Sequence, residues 1–482
     1  MTSAALLHDW TALEQSRAVR AREVSVVELT AHYLTRTSEH NDAIGAFAHV
    51  AAQAAMAQAR ELDRQLLAGE LPAAPDLFGV VAPVKDLDPV AGMPCTYGSR
   101  TSVANVPDHD AAFVTRMRRA GLVITGKTTT PEFGLPAYTE NDLGQVTRTP
   151  WDLTRSAGGS SGGAAAAVAA RLASVAQGSD GGGSIRIPAS VTGLVGIKPS
   201  RGRVSDLPFQ PGVGELGVIG PLARTVADAA AFLDVLAGSG PADVFGLPPT
   251  EPGAFLAAAR RDPGRLRIGR FRRPMVIDTE VHADALAAYE QATALLAAAG
   301  HEVEDIDRPI SPDVVPAFET VWQVGAATIP VAPDKEALLT PLTRHLRQLG
   351  RQVSGVELMK AVATMREASS AALAATAQYD VLLTPTLARL PARLGEFTDL
   401  HPEQDFEAQK RFTPFTAPFN VTGQPAMSIP LHHTGANLPV GVQLVGRPRD
   451  EETMISLAAQ LEGEVSWHER IPPLPDGGDR DG

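Results

Sequence analysis

The sequence predicts an α/β protein in which a β-sheet is covered by helices. The chain has 482 residues, of which 44% are hydrophobic and 5% aromatic, so it can bury a large core. From residue 78 onward, short apolar segments typical of strands alternate with segments typical of helices. This alternation is the pattern of an α/β sheet.

The first 75 residues are predicted to form helices that pack on the core. Ser25 and Glu28 give the segment 25–40 a capping box, which marks the start of a helix. The segment 51–69 is rich in strong helix formers and ends at Gly69, a residue type that commonly ends helices. We therefore assign residues 1–75 to N-terminal helices and residues 76–471 to the main α/β domain.

The remaining elements follow from apolar runs, helix formers and turn residues. A Pro-rich stretch at 246–253 is either a domain boundary or a loop, and the Pro-, Gly- and Asp-rich tail at 472–482 is predicted to be disordered. A helix is expected at 162–176, a long helix leading into a strand at 279–306, and strands at 78–85, 121–127, 193–199, 265–271, 379–386, 425–430 and 439–448.

Composition excludes several classes of function. The net charge of −13 and the absence of a basic run argue against nucleic acid as a partner. The single cysteine, Cys95, excludes an intramolecular disulfide, and no metal-binding motif is present, so neither a metal nor a cofactor is expected. The N-terminus lacks a signal peptide, and the Ala-rich run 164–170 is broken by Arg171. We expect a soluble cytoplasmic protein without a membrane partner.

A Walker A match is present at residues 121–128, with Lys127 in the position of the phosphate-binding lysine. The residues between its glycines are strand formers, and Pro131 stands where a helix should continue. The sequence therefore favours a buried strand that ends in a turn over a nucleotide-binding loop.

A nucleophile-elbow match, GGSSG, has Ser160 at its centre and a helix after it. The residues before it do not form an apolar central strand, and none of the later histidines, such as His432, His433 and His468, is identifiable as a triad partner. A Ser-His-Asp esterase nevertheless remains an alternative.

Three places in the chain offer a different set of groups. Lys85 ends the apolar segment GVVAPV, Ser160 and Ser161 lie in GGSSGG, and Ser184 follows the run from Gly181 to Gly183. Taken singly, these are compatible with a surface lysine, a polar turn and a helix cap. The flanks of the glycine run are too apolar for a linker, so its backbone lies inside a packed domain, where glycine permits a close approach to another atom.

These motifs together resemble the amidase signature family. The separations agree, with 75 residues from Lys85 to Ser160 and 24 from Ser160 to Ser184. The resemblance implies a single large α/β/α domain with a mixed central β-sheet. It is carried by GVVAPVKD, TGKTTTPEFG, TPWD, RSAGGSSGGAAAAVAA, GSDGGGSIRIPASVTGLVGIKPSRGRV, GPLARTVADAA, YDVLLTPT and PFNVTGQPAMSIP, in this order.

The resemblance also implies a catalytic triad. Ser184 would be the nucleophile, Ser160 a bridging serine with a cis peptide bond, and Lys85 the base. A serine hydroxyl needs a base to remove its proton, and a neutral lysine amine can act through a relay. At its reference pKa only about 0.04% of a lysine is neutral at pH 7, so burial must lower the pKa of Lys85.

Supporting roles follow from the same resemblance. The backbone N–H groups of the glycine run and Ser184 would form the oxyanion hole, in which each donor is typically worth about 2.7–4 kcal/mol to the transition state. Asp180 and Arg186 would brace this loop, although such a pair could equally be a structural ion pair, and Ser161 would support the relay. The expected oxyanion donors would be Gly181, Gly182, Gly183 and Ser184.

The more frequent family pattern has threonine where this chain has Gly181. The all-glycine form resembles a branch that hydrolyses cyclic amides, nylon oligomers, aryl amides and carbamates. We therefore expect the enzyme to hydrolyse linear amides or carbamates that carry a bulky hydrophobic or aryl group. The other possibilities within the fold are a non-enzymatic binding protein and a glutamine-amidotransferase subunit. The expected partners are a small-molecule substrate and water, in a monomer or homodimer.

The substrate pocket is expected to be lined by segments that vary within such a family: 131–142, 205–217 and about 310–350. Phe318, Trp322 and Ile329 could accept an apolar or aromatic group. Ordinary core packing explains each of these three residues equally well.

Overall fold

The computed structural model describes residues 6–72, 76–208 and 215–474. Its strands are β1 (Phe47–Val50), β2 (Val84–Lys85), β3 (Gly126–Thr128), β4 (Arg148–Thr149), β5 (Asp152–Ser156), β6 (Val175–Asp180), β7 (Val195–Lys198), β8 (Val218–Ala223), β9 (Arg267–Arg270), β10 (Glu302–Asp305), β11 (Val381–Pro385), β12 (Ala426–His433) and β13 (Pro439–Gly446).

The helices of the same residues are α1 (Ala12–Arg20), α2 (Val26–Ile44), α3 (Ala52–Ala68), α4 (Ala112–Arg119), α5 (Gly162–Ala169), α6 (Arg186–Thr192), α7 (Val226–Leu236), α8 (Ala254–Ala258), α9 (Ala283–Ala298), α10 (Val315–Thr328), α11 (Pro341–Gly350), α12 (Gly355–Thr376), α13 (Pro402–Phe412), α14 (Pro418–Val421) and α15 (Glu451–Val465).

The largest sheet has eight strands in the order β10-β9-β11-β13-β12-β7-β8-β6. Strand β9 is parallel to both of its neighbours, β10 and β11. The pairs from β11 across to β6 are all antiparallel. The central sheet is therefore mixed.

Helices cover both faces of this sheet. Alternate residues of a strand point to opposite faces, and β11 illustrates this arrangement. Val381 and Leu383 belong to a hydrophobic cluster with α7, α8, α9 and α15, whereas Leu382 belongs to a cluster with α10 and α12. A third cluster joins the N-terminal helices to α5. The predicted α/β/α architecture is thus confirmed.

A small sheet adjoins the edge strand β6. It has the order β1-β3-β2, with β2 parallel and β1 antiparallel to β3. The backbone N–H of Gln177 in β6 donates to the carbonyl of Pro83, just before β2, at 3.2 Å. This bond places the C-terminal residue of β2, Lys85, at the seam between the two sheets.

Several predicted elements are present with the expected ends. Helix α2 has the capping box of Ser25 and Glu28, and α3 ends at Gly69 with φ of 76°. The helix predicted for 162–176 is shorter, because Arg171 has φ of 58° and Val175 already belongs to β6.

The strands predicted for 78–85 and 121–127 are also shorter than expected. Gly79 and Gly121 have positive φ angles of 82° and 78°, which interrupt the extended backbone. A single bridge between Val81 and Val123 joins the two segments before β2 and β3 begin.

The Pro-rich stretch 246–253 connects α7 to α8, and the strands before and after it share one sheet, so this stretch is a loop. Of the tail predicted to be disordered, residues 475–482 lie outside the described residues. Within the described ranges, no helix is long and apolar enough to cross a membrane.

Candidate active site

Lys85 is held at the seam of the two sheets and is completely buried. Its backbone N–H donates to Gln177 Oε1 of β6 at 2.8 Å. Its Nζ lies 2.7 Å from Ser160 Oγ, 2.8 Å from Ser161 Oγ and 3.1 Å from Ser179 Oγ. Within the described part of the chain, Lys85 therefore contacts three serine hydroxyls and no carboxylate at hydrogen-bond distance.

Burial is the main electrostatic influence on this amine. It lowers the pKa of Lys85 to about 7, although the carboxylates of Asp88 and Asp180 oppose the decrease. Asp86, the next residue in the sequence, pairs with Lys127 at 3.2 Å and not with Lys85. A large fraction of Lys85 is thus neutral near pH 7.

Ser160 and Ser161 lie in the turn between β5 and α5. The Gly159–Ser160 peptide bond is cis, as expected from the family resemblance. The hydroxyl of Thr130 donates to the Ser160 carbonyl at 3.2 Å, and Ser161 Oγ donates to the Ser179 carbonyl at 3.1 Å. The first bond holds the backbone of Ser160, and the second holds the side chain of Ser161 beside the Lys85 amine.

Ser184 lies between β6 and α6, next to this cluster. The backbone N–H of Ser161 donates to the Ser184 carbonyl at 3.1 Å, which joins the two serine loops. Ser184 is 8% exposed and lines a cleft. Its hydroxyl forms no hydrogen bond within residues 6–72, 76–208 and 215–474, so it is available to a molecule in that cleft.

The glycine loop offers fewer free donors than the sequence suggested. The N–H of Gly183 donates to Asp180 Oδ1 at 2.7 Å, so it is already used inside the protein. Among the described residues, the N–H groups of Gly181, Gly182 and Ser184 have no hydrogen-bond acceptor. The N–H of Gly183, which was expected to be an oxyanion donor, is therefore not free to bind an oxyanion.

Asp180 and Arg186 form a fully buried ion pair, with Arg186 Nη2 2.8 Å from Asp180 Oδ1. Burial acts to raise the pKa of Asp180, but Arg186, Lys198 and Asn420 together outweigh it and hold that pKa well below its usual range. Arg186 also donates to the Thr416 carbonyl, Gln443 Oε1 and Asn420 Oδ1 at 2.7–2.8 Å. The pair thus ties the glycine loop to the later part of the chain.

A cleft opens beside Ser184. Phe318 and Trp322 of α10 stack with ring centroids 5.5 Å apart, and the Trp322 ring borders Gly181. The cleft is mainly apolar. Its lining residues are Leu135, Pro136, Ala137, Gly182, Ser184, Ile187, Val276, Val314, Val315, Phe318, Glu319, Trp322, Phe406, Gln409, Lys410, Thr413, Ala417, Pro418 and Val421.

Two of the three predicted pocket segments contribute to this cleft. Segment 131–142 supplies Leu135 to Ala137, and segment 310–350 supplies Phe318 and Trp322. The described part of segment 205–217 supplies no lining residue to it. Ile329 lies elsewhere, where its carbonyl accepts a bond from Arg347 at 2.8 Å.

One wall of the cleft and one contact of the amine were not predicted from the sequence. The wall comes from α13 and the loop after it, including Phe406, Gln409 and Lys410. The missed contact is Ser179. Gln177 and Ser179 are two residues apart on β6 and both touch Lys85, so the period-2 spacing of a strand could have identified Ser179.

The other motif matches have structural explanations. Lys127 is completely buried, 3.2 Å from Asp86, and is not on an exposed phosphate loop. His433 packs edge-on against Trp151, and His432 faces Gln291. No histidine of the described residues lines the cleft, and none of their His, Cys, Asp and Glu side chains form a metal-binding group of three or more.

The chain is similar to proteins that hydrolyse or transfer amides. A family model described as "Amidase" matches residues 28–455. A 6-aminohexanoate-cyclic-dimer hydrolase of Paenarthrobacter ureafaciens is 38% identical, over 76% of this chain and 78% of that protein. One subunit of a glutamyl-tRNA(Gln) amidotransferase of Roseiflexus is 33% identical, over 98% of this chain and 99% of its own length.

Solved structures of amide-hydrolysing enzymes are also similar to this chain. A 6-aminohexanoate cyclic dimer hydrolase complexed with substrate has a TM-score of 0.88 and 33% identity, covering 96% of this chain and 99% of its own. A bacterial aryl acylamidase has a TM-score of 0.85 and 25% identity, covering 96% of this chain and 97% of its own. With the family model spanning most of the sequence, the chain belongs to the amidase signature family and is an amide-hydrolysing enzyme.

Proposed function

We propose that this enzyme hydrolyses the C–N bond of an amide or carbamate that carries a bulky hydrophobic or aryl group. In this proposal Ser184 is the nucleophile, Ser160 relays its proton, and Lys85 is the base. The observation that carries the proposal is the contact of 2.7 Å between the fully buried Lys85 Nζ and Ser160 Oγ.

Acylation begins with two proton transfers. Neutral Lys85 accepts the proton of Ser160 Oγ while Ser160 accepts the proton of Ser184 Oγ, which attacks the substrate carbonyl carbon. The carbonyl oxygen becomes an oxyanion beside the free N–H groups of Gly181, Gly182 and Ser184. When the C–N bond breaks, the proton returns through Ser160 to the leaving nitrogen, and an acyl group remains on Ser184.

Deacylation uses the same groups in reverse. A water molecule gives its proton to Lys85 through the relay and attacks the acyl carbon. The tetrahedral intermediate then collapses, and Ser184 Oγ leaves with a proton supplied from Lys85 through Ser160. The products are an acid and an amine, and the enzyme regains its starting protonation. A carbamate cleaved at its C–N bond gives an amine and a carbonic acid monoester by the same steps.

The walls of the cleft support the substrate class. The stacked rings of Phe318 and Trp322 offer a flat apolar surface next to Gly181, which suits an aryl or extended alkyl group. Two of the similar proteins are named as a 6-aminohexanoate-cyclic-dimer hydrolase and an aryl acylamidase, and their names point to the cyclic dimer of 6-aminohexanoate and to acylated aryl amines as substrates. Both are amides with large apolar parts.

A role in amide transfer is the second candidate, because one similar protein belongs to an amidotransferase. The apolar cleft favours an apolar substrate over the polar side chain of glutamine. An esterase with a histidine base is less well supported. Ser160, the nucleophile in that alternative, has its Oγ 2.7 Å from the Nζ of Lys85.

The test follows release of a chromophoric aryl amine from an aryl amide and from the matching aryl carbamate. Wild type, Lys85→Ala and Ser184→Ala are compared with Lys360→Ala, which removes an exposed lysine of α12. We expect turnover by wild type and Lys360→Ala and a loss of at least about a thousandfold in the other two, each checked for folding by circular dichroism. Retained activity in Ser184→Ala would refute the nucleophile. If wild type releases no aryl amine from either compound but releases ammonia from glutamine in a parallel assay, the amidotransferase is favoured.

A further inference from the structure

A charged pair lies on the wall of the otherwise apolar cleft, and the reaction steps above do not use it. Of the described residues that line the cleft, only Glu319 and Lys410 carry a charge. Glu319 lies on α10 and Lys410 on α13, and Glu319 Oε1 is 2.6 Å from Lys410 Nζ. Their side chains are 23% and 16% exposed. The pair is therefore largely shielded from solvent and borders the space that holds the substrate.

The other polar side chains of the cleft, apart from the nucleophile, already have partners inside the protein. Gln409 Oε1 accepts the N–H of Ala137 at 2.8 Å, and its Nε2 donates to Asp405 Oδ1 at 2.7 Å. The hydroxyl of Thr413 donates to the Gln409 carbonyl at 3.0 Å. The charged pair is therefore the strongest polar feature available to the part of a substrate that lies away from the scissile bond.

The lysine of this pair is more fully occupied than the glutamate. Lys410 Nζ also contacts the carboxylate of Glu407, three residues earlier on α13, and lies 5.6 Å from the centre of the Phe406 ring. Glu319 Oε2 accepts no hydrogen bond from any of the described residues. Two carboxylates and one ammonium leave the group with one net negative charge. The free capacity of the pair is thus that of a hydrogen-bond acceptor in a negative potential.

Helix α10 brings Glu319 close to the reacting groups. A Cβ built on Gly182 would lie 3.7 Å from the ring of Phe318, the residue before Glu319. Trp322 borders Gly181 in the same way and follows Glu319 by three residues, which places both side chains on one side of the helix. A substrate whose apolar part packs against these two rings therefore has Glu319 alongside it.

A substrate that fills the cleft removes water from the charged pair. A buried acceptor without a partner costs free energy, and a hydrogen bond to a charged group recovers that cost. An ammonium or N–H group against Glu319 Oε2 would satisfy the acceptor, a methyl group would leave it unsatisfied, and a carboxylate would be repelled. The pair thus distinguishes apolar substrates by the chemistry of their remote end.

We propose that Glu319 is a specificity-determining residue that selects apolar amides or carbamates with a hydrogen-bond donor, best an ammonium group, away from the scissile bond. This inference rests on the proposed function and narrows its substrate class. Lys410 holds the Glu319 carboxylate in place, and neither residue touches the reacting atoms.

The test compares kcat/KM for aryl amides that differ only at one remote end. In the first set, 4-nitroaniline is acylated with a heptanoyl, 6-aminohexanoyl or 5-carboxypentanoyl group. In the second set, the acyl group is heptanoyl and the aryl amine is 4-propylaniline, 4-(2-aminoethyl)aniline or 4-(carboxymethyl)aniline. The two sets place the variable end on the acyl side and on the leaving-group side, and the released aryl amine is measured by liquid chromatography.

Wild type should prefer the ammonium compound over its neutral partner by about tenfold in at least one set, and the carboxylate compound should be cleaved more slowly than the neutral one. The absence of an ammonium preference in both sets would overturn the inference.

Variants separate a direct contact from a general effect of charge. Glu319→Gln should remove the ammonium preference, a loss of about tenfold in the ratio of the two kcat/KM values. Glu407→Gln removes the same charge from a residue that is 51% exposed and does not line the cleft, so it should change the ratio by less than about twofold. Equal effects of the two variants would contradict the contact.

Lys410→Met gives a prediction of opposite sign. It leaves the Glu319 carboxylate without its cation, so the ammonium of the substrate should take that place and the ammonium preference should increase. If the pair only joins α10 to α13, Glu319→Gln and Lys410→Met will change the rates on charged and neutral compounds by the same factor, and the inference is wrong. Far-UV circular dichroism checks the folding of each variant.

Failure of this inference can be told apart from failure of the proposed function. If wild type cleaves no compound of either set, or if Ser184→Ala keeps the wild-type rates, the proposed function fails and the inference fails with it. If wild type cleaves the neutral compounds, Ser184→Ala does not, and the rate is independent of the remote charge, only the role of Glu319 is wrong.

Discussion

Replacing Gly183 by alanine tests whether the glycine loop must approach its neighbours as closely as the structure indicates. A Cβ at this position would lie 2.4 Å from Thr416 Oγ1 and 2.7 Å from Ile187 Cδ1, at φ of +133°. Thr416 cannot easily move away, because its hydroxyl donates to the Gly182 carbonyl at 2.7 Å. The new methyl group therefore meets a fixed neighbour in a backbone conformation that alanine rarely adopts.

The expected cost has two parts. Backbone strain contributes about 1–3 kcal/mol, and overpacking contributes about 1–3 kcal/mol. We therefore expect the free energy of unfolding of Gly183→Ala to fall by about 2–6 kcal/mol. A displaced loop would also misplace the oxyanion donors, so kcat/KM should decrease by about a hundredfold or more.

The neighbouring glycines supply matched controls. A Cβ on Gly182 would find its nearest atom, Phe318 Cζ, at 3.7 Å, and a Cβ on Gly181 would find the Trp322 ring at 3.3 Å. Urea unfolding followed by far-UV circular dichroism should therefore give stabilities in the order Gly182→Ala, Gly181→Ala, Gly183→Ala, from highest to lowest. If Gly183→Ala is as stable and active as Gly182→Ala, the reasoning about this loop is wrong.

Three further predictions concern the amine, the cleft and the ion pair. Because the pKa of Lys85 is lowered to about 7, kcat/KM should drop about tenfold per pH unit below that value, and a flat profile down to about pH 5 would contradict a lysine base. Trp322→Ala should reduce kcat/KM for an aryl amide by about tenfold or more relative to a small aliphatic amide, since it removes an apolar wall of the cleft. Equal losses on both substrates would contradict a role of Trp322 in binding the aryl group. Arg186→Met should lower the unfolding free energy by about 3–5 kcal/mol, because it leaves Asp180 buried and unpaired. The same change at the exposed Arg267 should lower the unfolding free energy much less, as measured by urea unfolding.

The sequence was sufficient to predict the amine cluster because each motif is short and its residue types are restricted. The Nζ of Lys85 contacts the Oγ atoms of Ser160 and Ser161. Asp180 and Arg186 form the ion pair that is expected to brace the glycine loop. The α/β/α architecture was predictable for a related reason, since alternating apolar strands and helices require a shared sheet.

The far wall of the cleft was not predictable in the same way. It depends on contacts across more than half the chain, such as the bond of 2.8 Å from the Ala137 N–H to Gln409 Oε1. Nothing in the local pattern around residue 409 signals that partner. The use of the Gly183 N–H by Asp180 was likewise hidden, because it depends on the conformation of the loop.

The cleft and the reacting groups come from different stretches of the chain. The amine, the serines and the glycine loop all lie between residues 85 and 186, whereas residues 314–322 and 406–421 supply most of the apolar walls. A library of substitutions confined to residues 314–322 and 406–421 should therefore change selectivity while the catalytic chemistry stays intact. An engineer can therefore vary the walls of the cleft separately from the amine, the serines and the glycine loop.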